Sequence, residues 1–168
     1  MNVYFQTPAL VLALRDEREA DRVITFYTRD FGKIKAFARG IRLMKSKLRG
    51  HIVLGALLRI AFVEGKESYH LVDAEFLYRA RGDIQKFQPL QFLNQVTGER
   101  ERDAELWQFL MSWFLNQTRN VDISKHRDQQ RDTLHFQSRV LSILGFLPRD
   151  ATPSPHSIQS ALIANHLA

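Results

Sequence analysis

Residues 22–39 read RVITFYTRDFGKIKAFAR, and their folding decides how the rest of the chain is read. RVITFYT (22–28) is dense in β-branched and aromatic side chains, which suit a pleated, half-buried surface. Arg29-Asp30-Phe31-Gly32 then makes a tight connection, with Gly32 able to supply positive φ. KIKAFAR (33–39) alternates: Ile34, Ala36 and Ala38 fall on one side, and Lys33, Lys35, Phe37 and Arg39 on the other. This is a β-hairpin with one small apolar face and one cationic face.

Further strands lie on either side. ALVLALR (9–15) is a short apolar run closed by Asp16-Glu17-Arg18. IVLGALLRIAFV (52–63) reads as a longer strand in which Gly55 marks a bulge or bend. Glu64-Gly65-Lys66 is a turn, and SYHLVDAEFLY (68–78) is a fifth strand. Closely spaced strands joined by tight turns predict a small antiparallel barrel.

The period then changes. Pro89 opens a helix with Leu90, Leu93 and Val96 on one face, and Gly98 stops it. In 103–117 one stripe holds Leu106, Phe109, Leu110 and Trp113, and a second holds Trp107, Met111 and Phe114; the spacing predicts a helix buried on most sides. The polar run 116–132 reads as a loop passing into a helix that carries Phe136, Val140, Ile143 and Leu147 and ends at Gly145 and Pro148. Ser154 and Pro155 suit the N-cap and first position of a last helix through His166. The expected fold is α+β: a five-stranded antiparallel barrel over residues 1–80, then an all-helical domain over 81–168, with the boundary near Arg81-Gly82.

Composition excludes several classes. The 168 residues are 45% apolar and 11% aromatic, enough for a packed core. There is no cysteine, hence no disulfide, thiolate chemistry or Cys-ligated zinc. No apolar run reaches the roughly 18 residues of a membrane span. The first residues lack a basic leader and meet Arg15 early, so a cytoplasmic address is expected and no membrane partner.

The charge is localised. Residues 31–50, FGKIKAFARGIRLMKSKLRG, hold seven cations (Lys33, Lys35, Arg39, Arg42, Lys45, Lys47 and Arg49) and no acid, whereas the whole chain has 24 basic and 18 acidic residues. A single basic segment on a balanced body points to a polyanionic partner, with nucleic acid first, an acidic membrane surface second and an acidic protein third. The outer face of 33–39 has two readings: a solvated strand face with one stray Phe37, or a single-strand platform on which cations follow phosphates while a base stacks on the ring. The loop 40–50, bracketed by Gly40 and Gly50, shifts the balance to the platform.

Chemistry has little to stand on. There is no Gly-rich phosphate motif. His51, His70, His126, His135, His156 and His166 show no metal-ligand spacing. Asp73 and Glu75 share a strand face and could be imagined as a nuclease-type carboxylate pair, but a solvated strand edge is the favoured reading. Trp107 and Trp113 are at core spacing. Arg127 and Arg131 with Asp128 and Asp132 form a balanced helix start, and Arg79 and Arg81 could extend the basic path. The expectation is a binding protein, with no enzymatic activity, cofactor or metal.

EADRVITFYTRDFGKIKAFARGIRLMKSKLRG (19–50) resembles the N-terminal region of the bacterial recombination-mediator and DNA-repair family RecO. The matching features are Glu19 and Asp21, Thr28, Gly32, the segment Lys33–Gly40 and Lys45-Ser46-Lys47-Leu48-Arg49-Gly50. VLGALLRIAFVEGKESYHLVDAEFL is similar to the family's fourth and fifth strands, and FQSRVLSILGFLP (136–148) to its Leu-Gly-(Tyr or Phe)-x-Pro helix end. The resemblance implies an OB barrel followed by a helical domain. It implies binding of single- and double-stranded DNA without sequence preference, strand annealing and recombinase loading in a nucleoid-associated setting. The partners it implies are a ring-forming RecR-type mediator and single-strand-binding protein. Many members carry a four-cysteine zinc module after the Leu-Gly-x-x-Pro signature; here RDATPSPHSIQSALIANHLA follows it, which predicts a short form without that module. Two other functions fit the residues: an adaptor whose basic loop docks an acidic protein without touching nucleic acid, and an RNA-binding barrel.

Overall fold

The computed structural model describes residues 4–66, 68–78, 88–119 and 129–167. Five strands, β1 (Tyr4–Asp16), β2 (Arg22–Thr28), β3 (Gly32–Ala38), β4 (Leu57–Glu64) and β5 (Tyr69–Tyr78), precede four helices, α1 (Gln88–Val96), α2 (Ala104–Arg119), α3 (Gln129–Ile143) and α4 (Pro155–Ala164). The described residues fall into two compact units, Met1–Lys86 with Thr97–Asp103, and Phe87–Val96 with Ala104–Ala168. The expected boundary near Arg81-Gly82 lies outside the described residues, as do Arg79, Arg81, His126, Arg127 and Asp128.

The strands close into a barrel in the order β1-β2-β3-β5-β4. An odd number of strands cannot alternate direction all the way round, so one pair must run parallel. That pair is β3 with β5, joined through Ala36↔Tyr69 and Phe37↔His70, and the other pairs are antiparallel. β1 serves two neighbours: Tyr4–Leu10 pair with β4, Ala9–Asp16 pair with β2, and a bulge between Val11 and Ala13 bends the strand from one to the other.

The hairpin 22–39 forms as its pattern requires. Thr28 pairs with Gly32, whose φ is +64°, and Thr28 Oγ1 accepts from Phe31 N–H while donating to Gly32 O. Ile34, Ala36 and Ala38 point into a core shared with Ala9, Val11, Ile24, Phe26, Leu58, Ile60 and Phe62. Phe5, Phe31 and Phe62 meet ring to ring at 5.3–5.4 Å and fill one end of the barrel.

The strand expected over 52–63 begins only at Leu57. Ile52–Ala56 form turns instead, with Gly55 at φ +75°; Gly55 N–H bonds Val11 O at 3.0 Å or less (2.9 Å) and Ala56 O takes Val11 N–H at 3.0 Å. This stretch is apolar because Ile52 and Ala56 are buried in the barrel core, not because it is pleated.

In the helical unit α3 touches α1, α2 and α4. Leu106, Trp107, Leu110 and Phe114 of α2 are buried, as are Phe136, Val140 and Leu141 of α3, and the Trp113 and Phe136 rings lie 4.6 Å apart. α3 ends in a Schellman motif: Gly145 takes φ +79°, Phe146 N–H reaches Leu141 O at 2.8 Å and Gly145 N–H reaches Ser142 O at 3.2 Å. Ser154 caps α4 in a reciprocal box with Ser157, and Pro155 follows it. α4 stops at Ala164, short of His166, because His166 takes φ +56° and the chain turns back, with Leu167 N–H on Leu162 O at 2.8 Å; the Asn165 side chain donates to Ala161 O at 2.8 Å.

Candidate nucleic-acid interface

The basic segment divides into two parts with different surroundings. On β3 the outward positions are not open. Residues 97–103 return to the barrel and run beside β3: Glu99 makes a parallel bridge with Lys33, and Arg100 N–H bonds Lys33 O at 2.8 Å. The Arg100 guanidinium lies 5.1 Å over the Tyr69 ring, a cation–π contact that pins the strap. Lys33 is 9% exposed, and burial holds its ammonium below the usual lysine range against the opposing pull of Glu99. Lys35 forms an ion pair with Glu99, both side chains being more than half exposed. The hydrogen bond from Lys35 holds the Glu99 carboxyl below its ordinary range. Tyr27 beneath the same strap is 1% exposed, and burial, reinforced by the Asp103 carboxylate, pushes its phenol well up. OB barrels commonly take oligonucleotides on the outer face of strands two and three. Here part of that face is occupied by the chain itself.

Phe37 is half-buried, its ring edge-on to His70 at 5.9 Å. Arg39, where β3 ends, is exposed.

The loop 40–56 is an ordered series of turns. Leu43 N–H bonds Gly40 O, Ser46 N–H bonds Leu43 O and Arg49 N–H bonds Ser46 O, at 3.0–3.3 Å. Ile41 and Ile52 are buried in the barrel core, and Leu48 and Val53 pack partly against it. Fully burying an isoleucine is worth about 1.5–3 kcal/mol, so these anchors hold the loop to the barrel end. Asp21 fixes the entrance: its buried carboxylate accepts Gly40 N–H at 2.7 Å, and Gly40 takes φ +64°. At the exit His51 Nδ1 sits 2.9 Å from Lys47 O and its ring tilts against Phe76 at 5.1 Å.

This framework leaves Arg42, Lys45, Lys47 and Arg49 exposed. Arg42 is engaged, with Asp16 at 3.4 Å and its backbone N–H on Ala20 O at 3.0 Å. Arg22, bonded to Asp16 at 2.7 Å, is the main cause of that carboxyl's lowered pKa, and Arg42 adds to it. Among the described residues, no acidic side chain pairs with the side chains of Arg39, Lys45, Lys47 or Arg49. The absence of acids within 31–50 therefore does not leave all seven cations unpaired. Glu99, from 64 residues along the chain, and Asp16, from β1, engage Lys35 and Arg42.

The structure adds residues that the sequence reading did not use. Glu99 is invisible locally, since GERERD (98–103) looks like a balanced solvated run. The hydrogen bond of Asp21 to Gly40 gives the Glu19-x-Asp21 pattern a physical purpose. Elsewhere Glu75 pairs with Arg59 at 3.3 Å, while Asp73 accepts the following Ala74 N–H at 2.9 Å. Among the described residues no cluster of three or more His, Asp or Glu is placed to hold a metal, and no helix is long and apolar enough to cross a membrane.

Among the described residues, a closed β1-β2-β3-β5-β4 barrel followed by four helices defines an OB-fold protein with a helical second unit. Residues 1–80 match the family described as Recombination protein O N terminal. Relatives extend the likeness into the helices. The DNA repair protein RecO of Prosthecochloris aestuarii is 28% identical over 152 residues, covering 85% of this chain and 56% of the relative. That of Myxococcus xanthus is 29% identical over 153 residues, covering 86% and 60%. That of Geobacter sulfurreducens is 28% identical over 149 residues, covering 82% and 57%. The N-terminal part thus matches the RecO family, and over most of its length the chain is similar to RecO proteins. It spans less than two thirds of the length of these relatives.

Proposed function

We propose that this chain binds DNA in recombinational repair. It holds single and double strands without sequence preference, promotes annealing of complementary strands and helps load recombinase alongside a RecR-type mediator and single-strand-binding protein. The observation that carries the reading is the loop 40–50, a turn-braced segment whose Lys45, Lys47 and Arg49 have no acidic partner among the described residues. The name shared by the relatives, DNA repair protein, supports the setting. Phosphate contacts carry no sequence information, and a cationic surface screens the repulsion between two strands brought together.

Lys33, Lys35, Phe37, Arg39, Arg42, Lys45, Lys47 and Arg49 all belong to the proposed interface, but they do not contribute equally. Arg39 and the three loop cations make the phosphate contacts, while Lys33, Lys35 and Arg42 are buried or engaged. Four contacts to a single strand give a log K against log salt slope of roughly −3, against roughly −5 if all seven cations took part. Fluorescence anisotropy with a labelled oligonucleotide tests this, comparing the wild type with Lys45→Ala/Lys47→Ala/Arg49→Ala. Binding that weakens and flattens towards a slope of roughly −1 supports the reading. An unchanged slope in the triple variant would overturn it.

One observation favours a second reading. The strap 97–103 places an acidic side chain along β3, with Glu99 on Lys35. An adaptor that docks an acidic protein would use the same chemistry. Under that reading the wild type binds no oligonucleotide even at low salt and binds an acidic peptide instead.

A further inference from the structure

The tip of the basic loop carries an apolar side chain left almost fully exposed among the described residues. Met44 is 94% exposed, the highest value among the exposed large hydrophobic side chains of the described residues. It sits at a corner of the turn closed by Ser46 N–H on Leu43 O at 3.0 Å, with Lys45 at the other corner. Both side chains therefore project from a fixed backbone. The neighbouring Leu43 is different: its Cδ1 lies 3.3 Å from where a Cβ on Gly40 would stand, so it leans back over the loop entrance and is 46% exposed. Leu43 buttresses the tip. Met44 extends beyond it, with Lys45 next to it in sequence and Arg42 two residues before it.

A lone exposed methionine on a neutral surface would need no explanation. This one stands on a braced turn amid cations that attract phosphates, where a bound single strand would bring its bases close. We propose that Met44 is a wedge that packs against the faces of unpaired bases, inserting between successive bases of a single strand held by Lys45, Lys47 and Arg49. Methionine suits the task because its thioether is flexible and polarizable and packs favourably against aromatic rings. Apolar wedges, methionine among them, are a known device for unstacking bases in other architectures. The contact is indifferent to sequence, since every base has a face. Anionic membrane is the competing surface for a basic loop with an apolar tip. The small apolar area argues against it, because Met44 projects alone while Leu43 folds back.

This inference rests on the proposed DNA binding, and the experiment separates the two. Wild type and Met44→Ala are titrated by anisotropy across a salt series on a single-stranded oligonucleotide and on an abasic strand of equal length. A 2-aminopurine reporter in the base-containing strand reads unstacking. Met44→Ala is expected to bind the normal strand roughly five- to tenfold more weakly, the loss expected for about half of one apolar side chain's burial. The salt slope stays unchanged because no phosphate contact is removed, the 2-aminopurine signal drops, and the two proteins bind the abasic strand equally. Equal binding of the normal strand by wild type and variant, or an equal loss on the abasic strand, overturns the wedge while leaving DNA binding intact. Failure of the wild type to bind either strand overturns the underlying reading. Vesicles of anionic phospholipid form the last arm, and a Met44-dependent loss seen there but not on DNA assigns the tip to a membrane and overturns the proposal.

Discussion

Replacing Glu99 with Gln should make the protein bind single-stranded DNA more tightly. In the native fold Glu99 engages Lys35 and lies in a bridge with Lys33, so the strap sets a negative charge beside the β3 cations. The Gln variant keeps the shape of the side chain and removes its charge. The strap should stay in place, because Arg100 N–H still bonds Lys33 O at 2.8 Å and the Arg100 guanidinium still covers Tyr69 at 5.1 Å. The Lys35 and Glu99 side chains are 57% and 58% exposed, so their ion pair is worth about 0.2–1 kcal/mol and its loss shifts stability by no more than that.

The gain in binding can be worked out. Freeing Lys35 offers the strand one more phosphate contact, which steepens the salt slope by about 0.7. Relative to 1 M salt, that contact multiplies affinity by about fivefold at 0.1 M and about eightfold at 0.05 M. The assay is the anisotropy salt series, run beside thermal unfolding to show that the fold is intact. Equal affinity and slope in Glu99→Gln and wild type would mean that Lys35 is out of reach of the strand, and the β3 face would leave the interface altogether. Weaker binding would refute the idea that the strap competes with DNA.

Other consequences concern the scaffold. In Gly32→Ala the new Cβ would stand 2.1 Å from the Glu101 carbonyl oxygen, at φ +64°. The φ alone costs about 1–2 kcal/mol, and the backbone clash adds to it. Gly40→Ala shares the same φ but meets only the flexible Leu43 side chain at 3.3 Å, so in chemical denaturation it should lose clearly less than Gly32→Ala. Asp21→Ala leaves Gly40 N–H without its 2.7 Å acceptor and should cost about 1–3 kcal/mol, with faster amide exchange across 40–50. Acid should destabilise the protein in a defined window. Asp16, Asp30 and Glu99 all have carboxyls held below their ordinary values of 3.8 for Asp and 4.5 for Glu, chiefly by hydrogen bonds from Arg22, Arg29 and Lys35 respectively. Their contribution is fully present above those ordinary values and is lost as pH falls through the lowered ones. Melting temperature against pH should therefore be flat from neutrality to the ordinary carboxylate range and fall below it. The drop should be smaller at high salt, which screens exposed pairs.

The hairpin 22–39 was legible because its period of two is a direct consequence of burying one face. Ile34, Ala36 and Ala38 could face the core in no other secondary structure at that spacing. The helix ends were legible for a similar reason, since Gly145 and Ser154 satisfy local backbone groups within a few residues. The start of β4 was misread because apolarity reports burial and not pleating. Ile52 and Ala56 plug the barrel from a turn, and a run of apolar residues does not distinguish that from a strand. The state of the basic segment was only half legible. Charge content is local, but charge pairing is not: Lys35 meets Glu99 across 64 residues, and Arg42 meets Asp16 through the fold.

Those non-local pairs shift the proposed interface. If the seven cations were equivalent, a strand would lie along the outer face of β2 and β3, where Lys33, Lys35, Phe37 and Arg39 alternate. With Lys33 buried and Lys35 held by Glu99, that track is broken at its start. The proposed path runs instead from Arg39, just after β3, to the turns bearing Lys45, Lys47 and Arg49. Anchors at Ile41, Leu48 and Ile52 fix that path to the barrel core, so its charges arrive already arranged and little chain entropy is lost on binding. A strand engaged there would reach the strap side only as its partner Lys35 is released. Tightness on the loop and accessibility of β3 are therefore separable, and this is why Lys45, Lys47 and Arg49 on one side and Glu99 on the other should respond in opposite directions to loss of charge.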